Sequence, residues 1–232
     1  MSFSLFGFPV TIRGSFIAII AIIGYQSFPE QLDRVAAFVA IALIAIVVHE
    51  LGHAFAARSQ GTYGTPEISL EGMAGLTRYR LLKQPSRWQS IFISFAGPMA
   101  GILLGVVILL LARSGVIERT PLIEDLVVIG LFTTLGWSAF NLLPIVPLDG
   151  GHIMTELIPG SVPVRRRRAA VVSVVFAVAS AVALWFLFKL LFAALILGLM
   201  AFQNFNSITR TKQAVGMPPP MSARDDSRLD DR

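Results

Sequence analysis

Long apolar runs with few charges dominate the hydrophobic and polar pattern of the chain. A helix needs about 20 such residues to cross roughly 30 Å of hydrocarbon. The pattern therefore predicts about six transmembrane helices and an all-α integral membrane protein. The predicted spans are residues 15–28, 35–57, 88–112, 126–148, 169–188 and 190–209, of which the first is the shortest.

Two stretches of the chain have a different pattern. Residues 67–71 and 76–80 alternate polar and apolar side chains on either side of a glycine-containing turn, which predicts a β-hairpin at about residues 62–80. The tail, residues 216–232, contains three consecutive prolines and many charges, which favours disorder. We therefore expect one membrane domain over residues 1–215, with a membrane-associated hairpin at its cytoplasmic side.

Composition agrees with a membrane location. Hydrophobic residues make up 55% of the chain and charged residues 14%, against about 25% charged residues in soluble domains. This balance excludes a soluble nucleic-acid binder. The absence of cysteine excludes a disulfide framework, a thiolate metal site and a thiol nucleophile. Histidine chemistry must come from His49, His53 and His152, because the sequence has only three histidines.

Lysine and arginine are distributed unevenly between the two sides of the predicted spans. If the N-terminus lies in the cytoplasm, fifteen of the 19 basic residues fall in cytoplasmic segments, as the positive-inside rule requires. We therefore expect a multi-pass protein of the cytoplasmic membrane with both termini inside. The four consecutive arginines at residues 165–168 are interpreted as a topology anchor on anionic lipid rather than as a nucleic-acid site.

The segment His49-Glu50-Leu51-Gly52-His53 matches the pattern H-E-x-x-H. Residues four apart share one face of a helix, so His49 and His53 can reach a single zinc ion. Glu50, next to the first ligand, can then take a proton from water. The alternative is a polar cluster between helices that holds no metal.

The third metal ligand is a choice between Asp149 and His152. Charge counting brings both to the inner ends of the helices, at the depth of His49 and His53. Pro144 and Pro147, together with two glycines, interrupt the predicted fourth span at this point, which is tolerated where the backbone lines a polar cavity. Asp149 directly follows this interruption, and an unpaired carboxylate at that depth would be costly. We therefore favour Asp149.

These motifs together resemble the site-2 protease family of intramembrane zinc metalloproteases. The resemblance rests on residues 49–53, on Asn141, Pro144 and residues 148–151, and on Phe95-Ala96-Gly97-Pro98, and it covers about residues 35–155. It implies that His49, His53 and Asp149 bind one zinc ion per chain and that Glu50 is the catalytic base. It also implies that Asn141 stabilises the oxyanion. One position departs from the pattern, because many members have asparagine where this chain has Gly101.

The function that this resemblance implies is hydrolysis of peptide bonds in or near the transmembrane segments of membrane proteins. Two other classes stay open: a membrane ion or metal transporter, and a catalytically inactive regulator that binds membrane helices. From the length of the sequence we expect neither the PDZ nor the CBS domain of some members. Substrate recognition is therefore assigned to the membrane core, to the hairpin or to a separate regulatory membrane protein.

The hairpin is the predicted docking site for substrate. Its free edge can pair with an unwound substrate segment by strand addition. The predicted substrate-binding residues are Glu67, Ile68, Ser69, Leu70, Leu76 and Thr77.

Overall fold

Helices form most of the protein, and a small sheet lies beside them. The computed structural model describes residues 1–72, 74–116, 118 and 120–216; the tail predicted to be disordered lies outside the described residues except for Gly216. The strands are β1 (Ser2–Leu5), β2 (Phe8–Ile12), β3 (Glu67–Glu71) and β4 (Ala74–Arg78). The helices are α1 (Gly14–Ser27), α2 (Leu32–Ser59), α3 (Arg87–Arg113), α4 (Pro121–Leu131), α5 (Trp137–Asn141), α6 (Asp149–Leu157), α7 (Val162–Phe188) and α8 (Leu191–Gly216).

Four helical segments of the described chain are long and apolar enough to cross a membrane. They are Leu32–Ser59, Arg87–Arg113, Val162–Leu187 and Pro121–Asn141, the last of which joins α4 and α5 through the π-helical segment Phe132–Gly136. Two further apolar helices, Gly14–Ser27 and Ala193–Thr209, are shorter. The 14 residues of α1 rise only about 21 Å. All six apolar segments are therefore helical, but the predicted count of six spans is not confirmed.

Local sequence explains where several helices begin. Helix α3 starts after Ser86, whose hydroxyl accepts a hydrogen bond from the backbone of Gln89 while the Gln89 side chain accepts one from the backbone of Ser86. This reciprocal capping box satisfies two backbone donors that a helix otherwise leaves unpaired. Helix α4 starts with Pro121, after Thr120, whose hydroxyl accepts a hydrogen bond from the Ile123 backbone.

The predicted interruption of the fourth span is confirmed. The helix ends at Asn141, residues 142–148 form an irregular loop, and α6 begins at Asp149. The two glycines that follow Asp149 allow the loop to fold closely onto α6. An ideal Cβ atom at Gly150 would lie 2.1 Å from the Leu142 carbonyl oxygen, and one at Gly151 would lie 2.4 Å from the Ile145 carbonyl carbon.

The predicted hairpin is part of a larger sheet. Strands β3 and β4 pair in antiparallel register, as predicted, but β2 also pairs with β3 in parallel, with Val10 opposite Ile68. The strand order is β1-β2-β3-β4. The expected hairpin is thus extended to a four-stranded sheet, because the backbone edge of β3 that faces away from β4 pairs with β2, which is far away in the sequence. The free edges belong to β1 and β4.

The sheet is fixed against helix α2 by a buried apolar cluster. Phe8, Val10, Ile68 and Leu70 are at most 1% exposed, and they belong to the same cluster as Leu51 on α2. Full burial of each such side chain contributes roughly 1.5–3 kcal/mol. Packing of the inner face of the sheet therefore holds β3 and β4 next to the helix that carries the H-E-x-x-H motif.

Helices α7 and α8 pack against the interrupted segment. Ile145 and Leu148 form a buried cluster with Ala177 on α7 and with Leu197 and Ala201 on α8. The last two helices therefore support the irregular loop that leads to Asp149.

Candidate metal centre and catalytic cavity

Helix α2 carries three buried polar side chains close together. His49, Glu50 and His53 are 3%, 5% and 8% exposed. Polar and ionisable groups at such positions in an apolar helix are costly unless they find partners. One face of the helix presents both imidazoles, because the two histidines are four residues apart.

Asp149, the first residue of α6, completes a cluster with the two histidines. His49 Nε2 lies 3.1 Å from Asp149 Oδ2, His53 Nε2 lies 3.3 Å from Asp149 Oδ1, and the two Nε2 atoms are 3.2 Å apart. Four ligands placed tetrahedrally at about 2.0–2.1 Å from a zinc ion are about 3.3 Å from one another. The spacing of the three groups fits such an ion.

The hydrogen bonding of His53 supports the same conclusion. His53 Nδ1 lies 2.7 Å from the carbonyl oxygen of Ile93 on α3, which can only accept a hydrogen bond. Neutral His53 therefore carries its proton on Nδ1 and turns the lone pair of Nε2 toward Asp149. A lone pair and carboxylate oxygens at this distance repel each other, and a bound cation removes the repulsion. The donor set thus fits a zinc ion, with an outer hydrogen bond that orients one ligand.

Close packing of α3 against α2 sets the position of the histidines. An ideal Cβ atom at Gly97 would lie 2.2 Å from His53 Nε2, and one at Gly52 would lie 2.4 Å from the carbonyl oxygen of Ala96. Both glycines therefore let the two helices approach until His53 is seated against α3. This contact gives a physical reason for the glycine in the Phe95-Ala96-Gly97-Pro98 segment.

His152, the other candidate for the third ligand, lies elsewhere. It is exposed on α6 and lines the cavity, but it does not belong to the cluster. Among the described residues, His49, His53 and Asp149 form the only group of three acidic or histidine side chains whose ligand atoms converge.

Two residues that the sequence analysis did not identify hold the loop before Asp149. The hydroxyl of Ser173 on α7 accepts a hydrogen bond from the Val146 backbone at 2.9 Å, and Asn204 on α8 donates to the Val146 carbonyl oxygen at 2.6 Å. Both side chains are buried. A buried polar residue in a membrane helix indicates a specific partner, but sequence alone does not say which one.

Glu50 is held by strand β4. The Thr77 hydroxyl is 2.7 Å from Glu50 Oε2 and 3.1 Å from the Glu50 backbone carbonyl oxygen. Gly75 comes equally close, because an ideal Cβ atom there would lie 2.4 Å from Glu50 Oε1. The sheet therefore covers the carboxylate that the sequence identifies as the general base.

Asn141, the predicted oxyanion residue, stands at the end of α5. Its side chain lines the cavity, and its amide nitrogen donates a hydrogen bond to the Trp137 carbonyl oxygen at 3.1 Å. The amide is therefore bound to its own helix and still faces the space beside the metal centre.

The predicted substrate-binding residues of the hairpin separate into three sets. The side chains of Ile68 and Leu70 are buried in the core cluster. Glu67 is exposed and does not line the cavity. Ser69, Leu76 and Thr77 do line it, and Leu76 is 50% exposed.

A cavity of about 950 Å³ connects these groups. Its wall includes Arg166 and Arg167 on α7 and Tyr79 after β4. The pKa of the Tyr79 hydroxyl is raised by burial and, to a smaller extent, by the negative charge of Asp149. Tyr79 is therefore a neutral hydrogen-bond donor at physiological pH. The cavity is large enough to admit an extended peptide segment beside the metal centre.

The chain is similar to known proteins in sequence and in fold. The family model described as peptidase M50B-like matches residues 16–150, and that of peptidase family M50 matches residues 118–184. The chain is 26% identical over 159 residues to zinc metalloprotease MJ0392 of Methanocaldococcus jannaschii, covering 67% of this chain and 44% of that protein. It is 29% identical over 170 residues to the putative zinc metalloprotease sll0528 of Synechocystis sp., covering 67% and 43%.

The chain therefore spans less than half the length of these curated relatives. A solved structure, the site-2 protease from Methanocaldococcus jannaschii, superposes with a TM-score of 0.60 at 21% identity. The match covers 90% of this chain and 95% of that one. The two proteins share one fold.

Proposed function

Because the chain belongs to the peptidase M50B-like family, we propose that it is an intramembrane zinc endopeptidase. It hydrolyses peptide bonds in or near the transmembrane segments of membrane proteins. One observation carries this function: His49, His53 and Asp149 converge beside Glu50, in a cavity between apolar helices. Buried ionisable groups in membrane helices are costly and mark functional sites, and two histidines with an aspartate are a common ligand set for a catalytic zinc ion.

The proposed ligands are the imidazoles of His49 and His53 and the carboxylate of Asp149, which together hold one zinc ion. Bound there, zinc supplies a Lewis acid that makes a water molecule more acidic and polarises a peptide carbonyl. Three protein ligands would leave the ion able to bind the water molecule or the carbonyl oxygen as well.

Glu50 is the proposed general base and acid. Its carboxylate accepts a proton from the attacking water as the water oxygen bonds to the carbonyl carbon of the peptide. It then delivers that proton to the amide nitrogen as the carbon–nitrogen bond breaks, so that a carboxylic acid and an amine leave. The Asn141 amide has a second N–H besides the one that it donates to Trp137, and this group can donate a hydrogen bond to the developing oxyanion.

The proposed docking site for substrate is the free edge of β4. Strand addition there would place an extended substrate segment along the wall formed by Leu76 and Thr77, next to the metal centre. Of the two free edges, that of β4 adjoins the cavity, whereas β1 lies on the far side of the sheet.

We also propose that the cavity opens toward the cytoplasm and that both termini lie there. The uneven distribution of basic residues supports this orientation, as do Arg166 and Arg167 on the cavity wall. The proposed partners are a transmembrane protein substrate, the lipid bilayer and a separate regulatory membrane protein.

Glu50→Gln tests the function in cells that contain either the wild-type protein or the variant. Mass-spectrometric mapping of new peptide N-termini in the membrane fraction should find cleavages, within or beside transmembrane segments, that disappear with Glu50→Gln. We expect a loss of at least about 100-fold. The purified variant should retain wild-type zinc, because Glu50 acts on water and not on the metal.

Identical sets of N-termini in the two cell lines would overturn the protease function. Ion flux through proteoliposomes of the purified protein would then support a transporter. Binding of membrane helices without turnover would support an inactive regulator.

A further inference from the structure

Strand β4 holds the side chain of Glu50, the proposed general base. Among the residues that the structure describes, the Thr77 hydroxyl is the only hydrogen-bond donor to the Glu50 carboxylate. The distance of 2.7 Å to Oε2 is that of a well-formed hydrogen bond from a hydroxyl. The same hydroxyl lies 3.1 Å from the Glu50 carbonyl oxygen, so its single hydrogen faces two acceptor oxygens of this one residue.

Helix α2 does not orient Glu50 by itself. A glutamate side chain has several rotatable bonds, and its neighbours His49 and His53 are occupied with Asp149 and with the Ile93 carbonyl oxygen. Gly75 closes the other side of the carboxylate, because a Cβ atom at this position would lie within 2.7 Å of three Glu50 atoms. The two inward-facing positions of β4 thus confine the carboxylate, one by a hydrogen bond and the other by contact.

We propose that Thr77 is a positioning residue for the general base and that β4 sets the direction in which Glu50 presents its carboxylate. This inference rests on the proposed function. Thr77 acts through Glu50 and does not touch the reacting atoms. Loss of its hydroxyl therefore affects the chemical step, whereas loss of a docking contact would weaken substrate binding.

Three variants of the full-length protein separate these roles. Thr77→Val keeps the shape of the side chain and removes the hydroxyl, and Thr77→Ser keeps the hydroxyl. Thr11→Val is the matched control, because Thr11 is in the same sheet and its hydroxyl contacts Ser2 rather than Glu50. The substrate probe is a quenched fluorescent peptide that copies a segment whose cleavage in cells depends on Glu50.

We expect Thr77→Val to lower kcat by about 10- to 100-fold, as misplacement of a catalytic group by about 1 Å does, with KM changed by less than about twofold. Thr77→Ser should restore most of kcat, and Thr11→Val should behave like the wild type. All three should retain zinc. A wild-type kcat for Thr77→Val, or a raised KM with unchanged kcat, would overturn the positioning role while the wild-type enzyme still cleaves the peptide.

A second measurement needs no substrate. Hydrogen–deuterium exchange of the β4 amides should accelerate in Glu50→Ala and in Thr77→Val, and the double variant should exchange no faster than either single variant, because both remove the same contact. Additive acceleration would show that the two residues are not coupled and would overturn the inference.

If Thr77→Val does not fold, Gly75→Ala takes its place, because its Cβ atom displaces the Glu50 carboxylate and leaves the Thr77 hydroxyl intact. A wild-type kcat for Gly75→Ala would then count against positioning by β4.

Discussion

At the scale of single residues, the metal centre depends on groups that do not bind the metal. Gly97 provides the space for the His53 ring, and the Ile93 carbonyl oxygen fixes its tautomer. Loss of such an outer contact typically lowers metal affinity or activity by about 10- to 100-fold. The cluster is therefore a property of the α2–α3 interface as much as of the H-E-x-x-H segment.

The third ligand can be tested with a pair of variants three residues apart. Asp149→Ala should lower zinc occupancy and abolish cleavage, because it removes two of the oxygens that face the histidines. His152→Ala should retain zinc and at least part of the activity, since its exposed side chain lies outside the cluster. Metal analysis of the two purified proteins decides between them. Zinc loss in His152→Ala alone would reassign the ligand.

Part of this site can be predicted from the sequence because it depends on local spacing. The separation of His49 and His53 implies one helix face, and the interruption by Pro144 and Pro147 implies a break before Asp149. The contact between Thr77 and Glu50 cannot be predicted in this way, because it depends on where a sheet packs against a helix. The roles of Ser173 and Asn204 cannot be predicted either, because they depend on the packing of α7 and α8 against the loop at Val146.

The departure at Gly101 acquires an explanation only in the structure. An ideal Cβ atom at Gly101 would lie 2.3 Å from the Ser138 hydroxyl on α5. Ser138 is fully buried, and its hydroxyl has no hydrogen-bond partner among the described residues. The space that an asparagine side chain would enter from α3 is thus filled by a serine from the facing helix.

At the scale of elements, the hairpin of β3 and β4 can be predicted from the sequence, whereas the other two strands of the sheet, β1 and β2, are harder to predict. The alternation of residues 67–71 is a local signal. A similar signal exists in β2, where Phe8, Val10 and Ile12 are buried and alternate with Pro9 and Thr11. Five residues near the start of a chain do not reveal a parallel partner on the other side of two helices. The four-stranded sheet therefore cannot be predicted from local patterns, because it depends on the long-range pairing of β2 with β3.

Docking at the edge of β4 can be tested by cross-linking, because the chain contains no cysteine. Leu76→Cys should form disulfides with single cysteines scanned along a bound substrate in the inactive Glu50→Gln background. Strand addition predicts efficient cross-links at every second substrate residue. Ser4→Cys, on the opposite edge strand, should give none. A helical period of three to four residues, or equal cross-linking at both edges, would exclude pairing with β4.

At the scale of the whole molecule, the proposed orientation has the inner ends of four spans, the sheet and the cavity on one side of the bilayer. It predicts which loops an impermeant maleimide can reach from outside intact cells. Gln31→Cys and Ser114→Cys should be labelled. Gln84→Cys and Ser161→Cys, which are also at exposed positions, should react only after permeabilisation. The opposite pattern would reverse the topology and place the cavity on the outer side.

The spread of the metal cluster along the chain has a consequence for biosynthesis. His49 and Asp149 are 100 residues apart, which a ribosome needs about 5–20 s to translate. During that interval the nascent protein contains the proposed general base and the two histidines, but it lacks the third proposed ligand. Because the zinc site is incomplete, the nascent protein would be unable to cleave other membrane proteins until α6 is synthesised. Helices α7 and α8 would then pack against the loop of residues 142–148 and hold it in place.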